Sequence, residues 1–363
     1  MENNHPDPGA GRAKKRPRTE SVKDKDETVD NFDEHLYHYY HSRAENTVKI
    51  AEDQIIIIQK LDEEEDIDPK RLCWNSIKGD DKRCLVLTGF SVIQFIELLT
   101  LCESSIPTNI GRGKQSKFTQ ADKFLVVLCY VKHYETQAKL GDNFGVSKAQ
   151  INRIIAVVVP IITSILYLKY VVDLEVDLPE YEAFPDARFV IDVTIQKIWR
   201  PLGTFQERKQ FYSGKHKIYG LKSLTLHYRN GSLVACWAGT PGAVHDVVIA
   251  NEHYQEIKRL IEEEERMREE SKIFADKGFL GCEGNLPVLI PYKKKPNREL
   301  TPAQVEQNKA LSSHRVICER WYGRLKGLFR IIAAEYHNDR DDYPLFFRLC
   351  SALTNYHILK HPL

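Results

Sequence analysis

The stretch "RFVIDVTIQKI", residues 188–198, reads as a β-strand with an acid at its centre. Phe189, Ile191, Val193 and Ile195 alternate along one face, and Val190, Asp192, Thr194 and Gln196 lie along the other. Such a pattern predicts a strand covered on at least one side. A carboxylate in its middle is costly to desolvate unless a positive charge lies beside it. What Asp192 holds is therefore the question on which the reading of the whole chain turns.

Downstream, "KIYGLKSLTLHYR" (217–229) and "SLVACWAGT" (232–240) are two further strand-like runs, joined at Asn230 and Gly231, a strong hairpin signal. The segment "HDVVIANEHYQEIKRLIEEEERMREE" (245–270) is helical in pattern, "KIFADKG" (272–278) and "LPVLIPY" (286–292) are short strands, and residues 301–332 return to helix. Three antiparallel strands, a helix, more strands and carboxy-terminal helices predict an α/β layer fold over about 185–360, its sheet covered on both faces.

Upstream, "FTQADKFLVVLCYVKHY" (118–134) opens on Thr119 as N-cap and is apolar at helical spacing. A short helix over about Thr136 to Phe144 then meets the turn Gly145, Val146, Ser147, and Ser147 caps a second helix carrying Lys148, Gln150, Asn152 and Arg153. That is the layout of a helix-turn-helix over 111–172, whose second helix enters the major groove with its first residues facing base edges. A bare helical hairpin has the same pattern, but residues 111–170 carry 9 Lys/Arg against 3 Asp/Glu, which favours a polyanion partner. The apolar run 154–168 contains Pro160 and falls short of the roughly 20 residues a bilayer requires, so we read it as a kinked or broken buried helix and expect no membrane.

The formal net charge of +1 over 363 residues hides this asymmetry. Residues 291–330 carry 10 Lys/Arg against 3 Asp/Glu, whereas 31–110, a mostly helical region with no legible task, carries 8 against 15. Residues 1–30 have few apolar side chains and read as disordered, with Arg12, Lys14, Lys15, Arg16 and Arg18 forming a nuclear address or a backbone-binding arm. The eight cysteines include no C-x-x-C pair, which suits buried, reduced thiols and argues against structural zinc. His35, His38 and His41 read as one face of an aromatic helix.

Three acids occupy unusual places: Asp192 within a strand, Asp276 at the end of "KIFAD", and Glu319 in the helix "SHRVICERWYGRLKGLF", where it shares a face with Arg315, Tyr322 and Lys326. Carboxylates gathered at a sheet end repel one another unless divalent cations neutralise them, and hard oxygen ligands suit Mg²⁺ or Mn²⁺. Two such ions can activate a water or a 3′-hydroxyl on one side of a phosphate and stabilise the leaving oxygen on the other.

Six ordered motifs carry a resemblance: "IDVT" with Asp192, "QFYSGKHKIYGLK" (210–222), "GTPGAVHD" (239–246), "ADKGFLG" with Asp276, "LIPYKKKPNRELT", and "NKALSSHRVICERWYGRLKGLFRI" with Glu319. Together the chain resembles a DDE superfamily transposase of the Harbinger and related insertion-sequence group, with Val193 where many relatives have Gly. The resemblance implies an RNase H-like catalytic domain, a mixed sheet with helices on both faces, behind the all-α helix-turn-helix. It implies Asp192, Asp276 and Glu319 as a triad holding two Mg²⁺ or Mn²⁺ ions, with His216, His245 and Asp246 as neighbours. Lys215, Lys217, Arg315, Arg320, Arg324 and Lys326 are expected to grip the DNA backbone. It further implies double-stranded DNA bearing terminal inverted repeats, a target site, a homo-oligomer assembled on DNA, a Myb-like accessory protein and a nuclear location. The alternatives are a domesticated DNA-binding regulator without catalysis and a nuclease without strand transfer.

Overall fold

In the computed structural model, residues 71–110, 118–174, 184–265, 271–294, 296 and 298–363 are described. The basic amino-terminal tail, the His35 to His41 stretch and the linker 111–117 lie outside them.

The strand that opened the reading is β1, Ala187–Lys197, at the centre of the sheet. The short β2 (Tyr212–Ser213) pairs with the start of β3 (Ile218–Tyr228), and β4 is Leu233–Pro241, β5 Lys272–Phe274 and β6 Val288–Leu289. Across the sheet the order is β4, β3, β1, β5, β6. Of the first three, β3 is antiparallel to both β4 and β1, and β5 and β6 run parallel to β1. Three antiparallel strands flanked by two parallel ones, with helices on both faces, make the mixed sheet RNase H-like, as expected.

The turn between β3 and β4 is one residue longer than a two-residue hairpin. Tyr228 N–H donates to Ser232 O at 2.9 Å, enclosing Arg229, Asn230 and Gly231, with Gly231 in the left-handed region at φ 96°. The Asn230 carboxamide oxygen accepts from Ser232 N–H at 2.9 Å, which is why Asn precedes Gly there.

Helices α1 (Asp81–Thr88) and α2 (Val92–Cys102) occupy the described part of the amino-terminal region, followed by α3 (Gln120–His133), α4 (Gln137–Phe144) and α5 (Lys148–Tyr167). Thr119 and Asp122 form a reciprocal capping box at the start of α3, contacts worth about 1 kcal/mol for the cap itself. The other Asp122 oxygen accepts from Trp74 N–H at 2.7 Å and so ties the chain before α1 to α3. The helix-turn-helix is the one read from sequence: Thr136 caps α4, Gly145 is left-handed, and the Ser147 hydroxyl accepts from Gln150 N–H. A Cβ at Gly141 would stand 2.6 Å from Val146 O, so only glycine lets the two helices approach this closely.

Helix α5 differs from its reading. It runs unbroken through Pro160 and continues as one π-helical turn to Val172, giving a 25-residue helix apolar and long enough to cross a membrane. Pro160 is exposed, as is Ala156, whose carbonyl loses its helical donor there and faces water, so the proline is tolerated. The opposite face is core: Ile151, Val158, Ile162 and Leu166 are fully buried.

The remaining helices are α6 (Phe205–Phe211), α7 (Asp246–Glu252), α8 (Tyr254–Glu265), α9 (Pro302–Leu328), α10 (Arg330–Ala333) and α11 (Tyr343–Lys360). The acidic helical pattern after residue 245 is thus two helices, parted at His253. Phe189, Ile191, Leu224 and Leu226 pack with Ile249 and Ile257 of α7 and α8 on one face of the sheet. On the other face Val190, Phe274 and Leu221 join Cys318, Trp321 and Leu325 of α9, in a cluster that also contains α1 to α5 and α11.

Asn355 of α11 shows how tightly this second layer is tied. Its oxygen accepts from Leu233 N–H (2.9 Å) and Trp321 Nε1 (3.2 Å), and its nitrogen donates to Tyr170 O (2.8 Å) and Leu233 O (2.9 Å). Both amide groups are thereby satisfied in a site 1% exposed, which makes this polar residue a joint between sheet, α5 and α9. All eight cysteines are buried and unpaired.

Candidate active site

The site follows from strand register. Val190 of β1 is aligned with Phe274 of β5 in the parallel pair. Two residues further along each chain stand Asp192 and Asp276, on the same face by the period of two, at the carboxyl end of β5. Beyond Phe274 the β5 pairing ends, so β1 loses its neighbour at the level of Asp192 and the sheet opens into a cleft. Asp276 turns the chain there: its Oδ1 accepts from Gly278 N–H at 2.7 Å and it caps a short 3₁₀ turn.

Helix α9 lies over this cleft. Arg315 Nη2 is 4.0 Å from Asp276 Oδ2, and the Tyr322 hydroxyl bonds Thr225 Oγ1 at 2.5 Å. Thr225 is the residue of β3 opposite Asp192, and its hydroxyl also donates to Asp192 O. One turn further, Lys326 Nζ donates to Thr194 Oγ1 at 3.0 Å. Glu319 falls between Arg315 and Tyr322 on the same helix and is exposed.

Burial pushes the Asp192 carboxyl up to about 6, with Asp276 and Asp246 adding to the rise and Arg315 and the Val193 N–H opposing it. The N–H of Val193 donates to Asp192 Oδ1 at 2.8 Å. Asp192 thus feels both Asp276 and Asp246, with Arg315 as the cation on the helix side.

Asp246 does not cap α7. His245 is the N-cap, through its backbone, and the Asp246 carboxylate points back to the sheet. Its Oδ1 accepts from Lys222 Nζ at 2.8 Å and its Oδ2 lies 3.8 Å from Lys215 Nζ. Lys222 also donates to Val244 O at 2.6 Å, and both partners of the pair are almost closed to solvent, at 8% and 13% side-chain exposure. A Cβ placed on Gly278 would meet Asp276 Oδ1 at 2.7 Å and Asp246 Oδ2 at 3.1 Å, so the two carboxylates meet across that glycine.

His216 sits on the exposed turn between β2 and β3, its pKa held down by partial burial and by Lys215, Lys222 and Lys326, with Asp246 opposing. Lys217 adopts a left-handed φ of 56° there and is exposed, and Arg320 is exposed on α9. Arg324 is turned away, donating to His361 O and bonding His357 Nδ1, both at 2.9 Å. On the helix-turn-helix, Lys148, Asn152 and Arg153 are exposed along the start of α5, Gln150 is half-buried, and Asn152 donates to Gln137 of α4. Lys222 and Thr194 were not singled out from sequence. A lysine in register with Leu224 and Leu226 inside an apolar strand was the signal for the first.

Residues 191–355 match the family described as DDE superfamily endonuclease. Residues 116–166, which include α3, α4 and most of α5, match the helix-turn-helix of DDE superfamily endonuclease. A curated relative, the probable transposase for insertion sequence element IS702 of Microchaete diplosiphon, is 26% identical over 248 residues, covering 68% of this chain and 83% of that protein. A solved structure, the Mos1 transposase paired-end complex with left transposon end, covers 77% of this chain and 93% of its own at 11% identity and a TM-score of 0.19. The first match therefore begins within β1, one residue before Asp192, and ends in α11 at Asn355.

Among the described residues, no three His, Cys, Asp or Glu side chains stand close enough to hold a metal ion. The chemistry of Asp192 and Asp276 nevertheless suits one. They are paired hard oxygen donors at a sheet end, and the burial that holds Asp192 near neutrality is what a divalent cation would offset. Glu319 is not gathered with them in this arrangement.

Proposed function

We propose that the protein is a metal-dependent DNA endonuclease of transposase type, which cuts phosphodiester bonds at transposon ends and joins the resulting 3′-hydroxyl to target DNA. The observation that carries this reading is the placement of Asp192 and Asp276 side by side where β5 stops, beneath the cationic face of α9. Asp192 and Asp276 would hold the cation, Mg²⁺ or Mn²⁺, with Glu319 reaching it from α9. When bound, such ions supply charge neutralisation at the phosphate and an activated water or 3′-hydroxyl.

The chain's own residues do the rest. Thr225, held by Tyr322, fixes the backbone of β1 at Asp192, and Lys326 and Thr194 present a cation and a hydroxyl two residues further along the strand. Lys215, Lys217 and Arg320 are exposed at the rim to meet backbone phosphates, Lys215 beside Asp246, and Lys148, Gln150, Asn152 and Arg153 would enter a groove. Double-stranded DNA with terminal inverted repeats is the substrate on this reading, two ends call for a homo-oligomer, the Harbinger resemblance adds a Myb-like accessory protein, and the basic segment Arg12 to Arg18 serves nuclear entry.

The test incubates the protein with Mn²⁺ or Mg²⁺ and a duplex carrying the repeats that flank its gene, beside Asp192→Asn and Asp276→Ala. Cleavage by the wild type that both variants lose is expected. The exposed position of Glu319, apart from the two aspartates, favours the second reading of a DNA-binding regulator, whose signature is sequence-specific binding without cleavage.

A further inference from the structure

A cavity of about 470 Å³ lies where the helix-turn-helix unit meets the catalytic domain. Its walls are the end of α3, through Lys132 and His133, and the joint between α9 and α10, through Lys326, Gly327, Leu328 and Arg330. Three side chains bear permanent positive charge and none of the lining residues is acidic.

Lys132 and Lys326 are half-buried, and among the described residues neither ammonium makes an ion pair. Lys326 has the Thr194 hydroxyl, and the Lys132 ammonium lies beside Gly89 and Leu328. Burial lowers the pKa of both. His133 is already engaged with Leu87 O at 3.1 Å, and behind Lys132 the guanidinium of Arg324 bonds His357, whose pKa burial, Arg324, His361 and Lys132 lower to about 4. Glu335, next in the chain after the lining residue Ala334, is occupied by Lys197 at 2.9 Å. Half-burying two ammonium groups without a counter-charge raises the energy of the empty protein, a cost that an entering anion offsets.

We infer that this cavity binds a backbone phosphate of the DNA substrate, held by Lys132, Lys326 and Arg330 together. Lys326 reaches Thr194, which lies two residues along β1 from Asp192, or about 7 Å at strand rise, so the held phosphate belongs to the strand being cut, near the scissile position. Because one wall comes from α3 and the other from the catalytic domain, that phosphate sets the register between the DNA held by the helix-turn-helix and the bond presented to the acids. The inference rests on the proposed DNA substrate.

The experiment uses the full chain and a fluorescein-labelled duplex, with binding followed by anisotropy from 50 to 300 mM NaCl. Each phosphate contact contributes about 0.9 to the slope of log affinity against log salt, so Lys132→Gln/Arg330→Gln is expected to lose about that much slope and to bind several-fold more weakly at low salt. Lys132→Arg/Arg330→Lys should restore the wild-type slope, and Lys258→Gln, on a surface pair with Glu262, should leave it unchanged. Equal melting temperatures for the variants keep the comparison among folded proteins. A neutralised variant with the wild-type slope overturns the pocket while leaving the endonuclease reading intact, since wild-type cleavage is scored separately. A wild type that fails to bind any duplex overturns both. If orthophosphate raises the melting temperature of the wild type but not of the variant while the slopes agree, the cavity takes a free anion and the DNA assignment is refuted.

Discussion

Replacing Asp192 with asparagine should make the protein more stable above neutral pH, although it removes a functional group. The carboxyl has a pKa of about 6 in the fold, set first by burial and then by Asp276 and Asp246, against about 3.9 in an unfolded chain. Below pH 4 the group is protonated in both states and its full contribution to stability is present. Between pH 4 and 6 the unfolded state ionises first, and above 6 the folded state must carry the buried charge, so that contribution is lost as pH rises. Two pKa units correspond to about 3 kcal/mol, and discounting for the water that reaches the cleft leaves about 2 kcal/mol. Asparagine keeps an oxygen to accept from Val193 N–H and never ionises. Asp192→Asn should therefore match the wild type near pH 4 and exceed it by about 2 kcal/mol at pH 8 in urea unfolding. Adding Mn²⁺ at about 100 times its dissociation constant should return about 2.7 kcal/mol to the wild type at pH 8 and nothing to the variant. A variant that is no more stable than wild type at pH 8, or a difference that ignores pH, would refute the argument that Asp192 carries an uncompensated buried charge.

Three further outcomes are expected. Gly278→Ala puts a methyl group 2.7 Å from Asp276 Oδ1 and 3.1 Å from Asp246 Oδ2, so it should cost about 1–3 kcal/mol and weaken Mn²⁺ binding, read by urea unfolding and calorimetric titration. Lys222→Met strands Asp246 beside Asp276 and should cost about 3 kcal/mol, whereas Lys222→Met/Asp246→Leu should recover most of that loss, a recovery that a double-mutant cycle measures. Arg153→Ala should weaken binding to all duplexes alike if the side chain meets a phosphate, and should relax the preferred sequence if it reads a base, as selection from a random oligonucleotide pool would reveal.

Much of this architecture was legible in the residues, for identifiable reasons. The alternation around Asp192, the Asn230 and Gly231 turn, and the Thr119 and Ser147 caps are local signals, each set by contacts within four residues, and each appears where expected. A local signal also marked α6, since Thr204 and Glu207 form a capping box, but seven residues are too few for a helical period to stand out. What the sequence could not convey is long-range. Nothing local links Lys222 to Asp246, or Lys132 to Lys326, and the burial of one face of α5, which lets the helix pass through Pro160, is decided by distant partners. The level of Asp276 with Asp192 likewise depends on a parallel register that only the folded sheet specifies.

The bond from Asn355 to Tyr170, the packing of Tyr356 on Tyr170 with ring centroids 5.1 Å apart, and Arg348 over Tyr167 mean that α11 completes the shelter of α5. During synthesis α5 emerges some 180 residues before its cover, leaving a greasy helix waiting on the ribosome for about ten seconds or more. A chain cut before Tyr343 would thus leave α5 without this cover, a sticky fragment that holding chaperones would meet first.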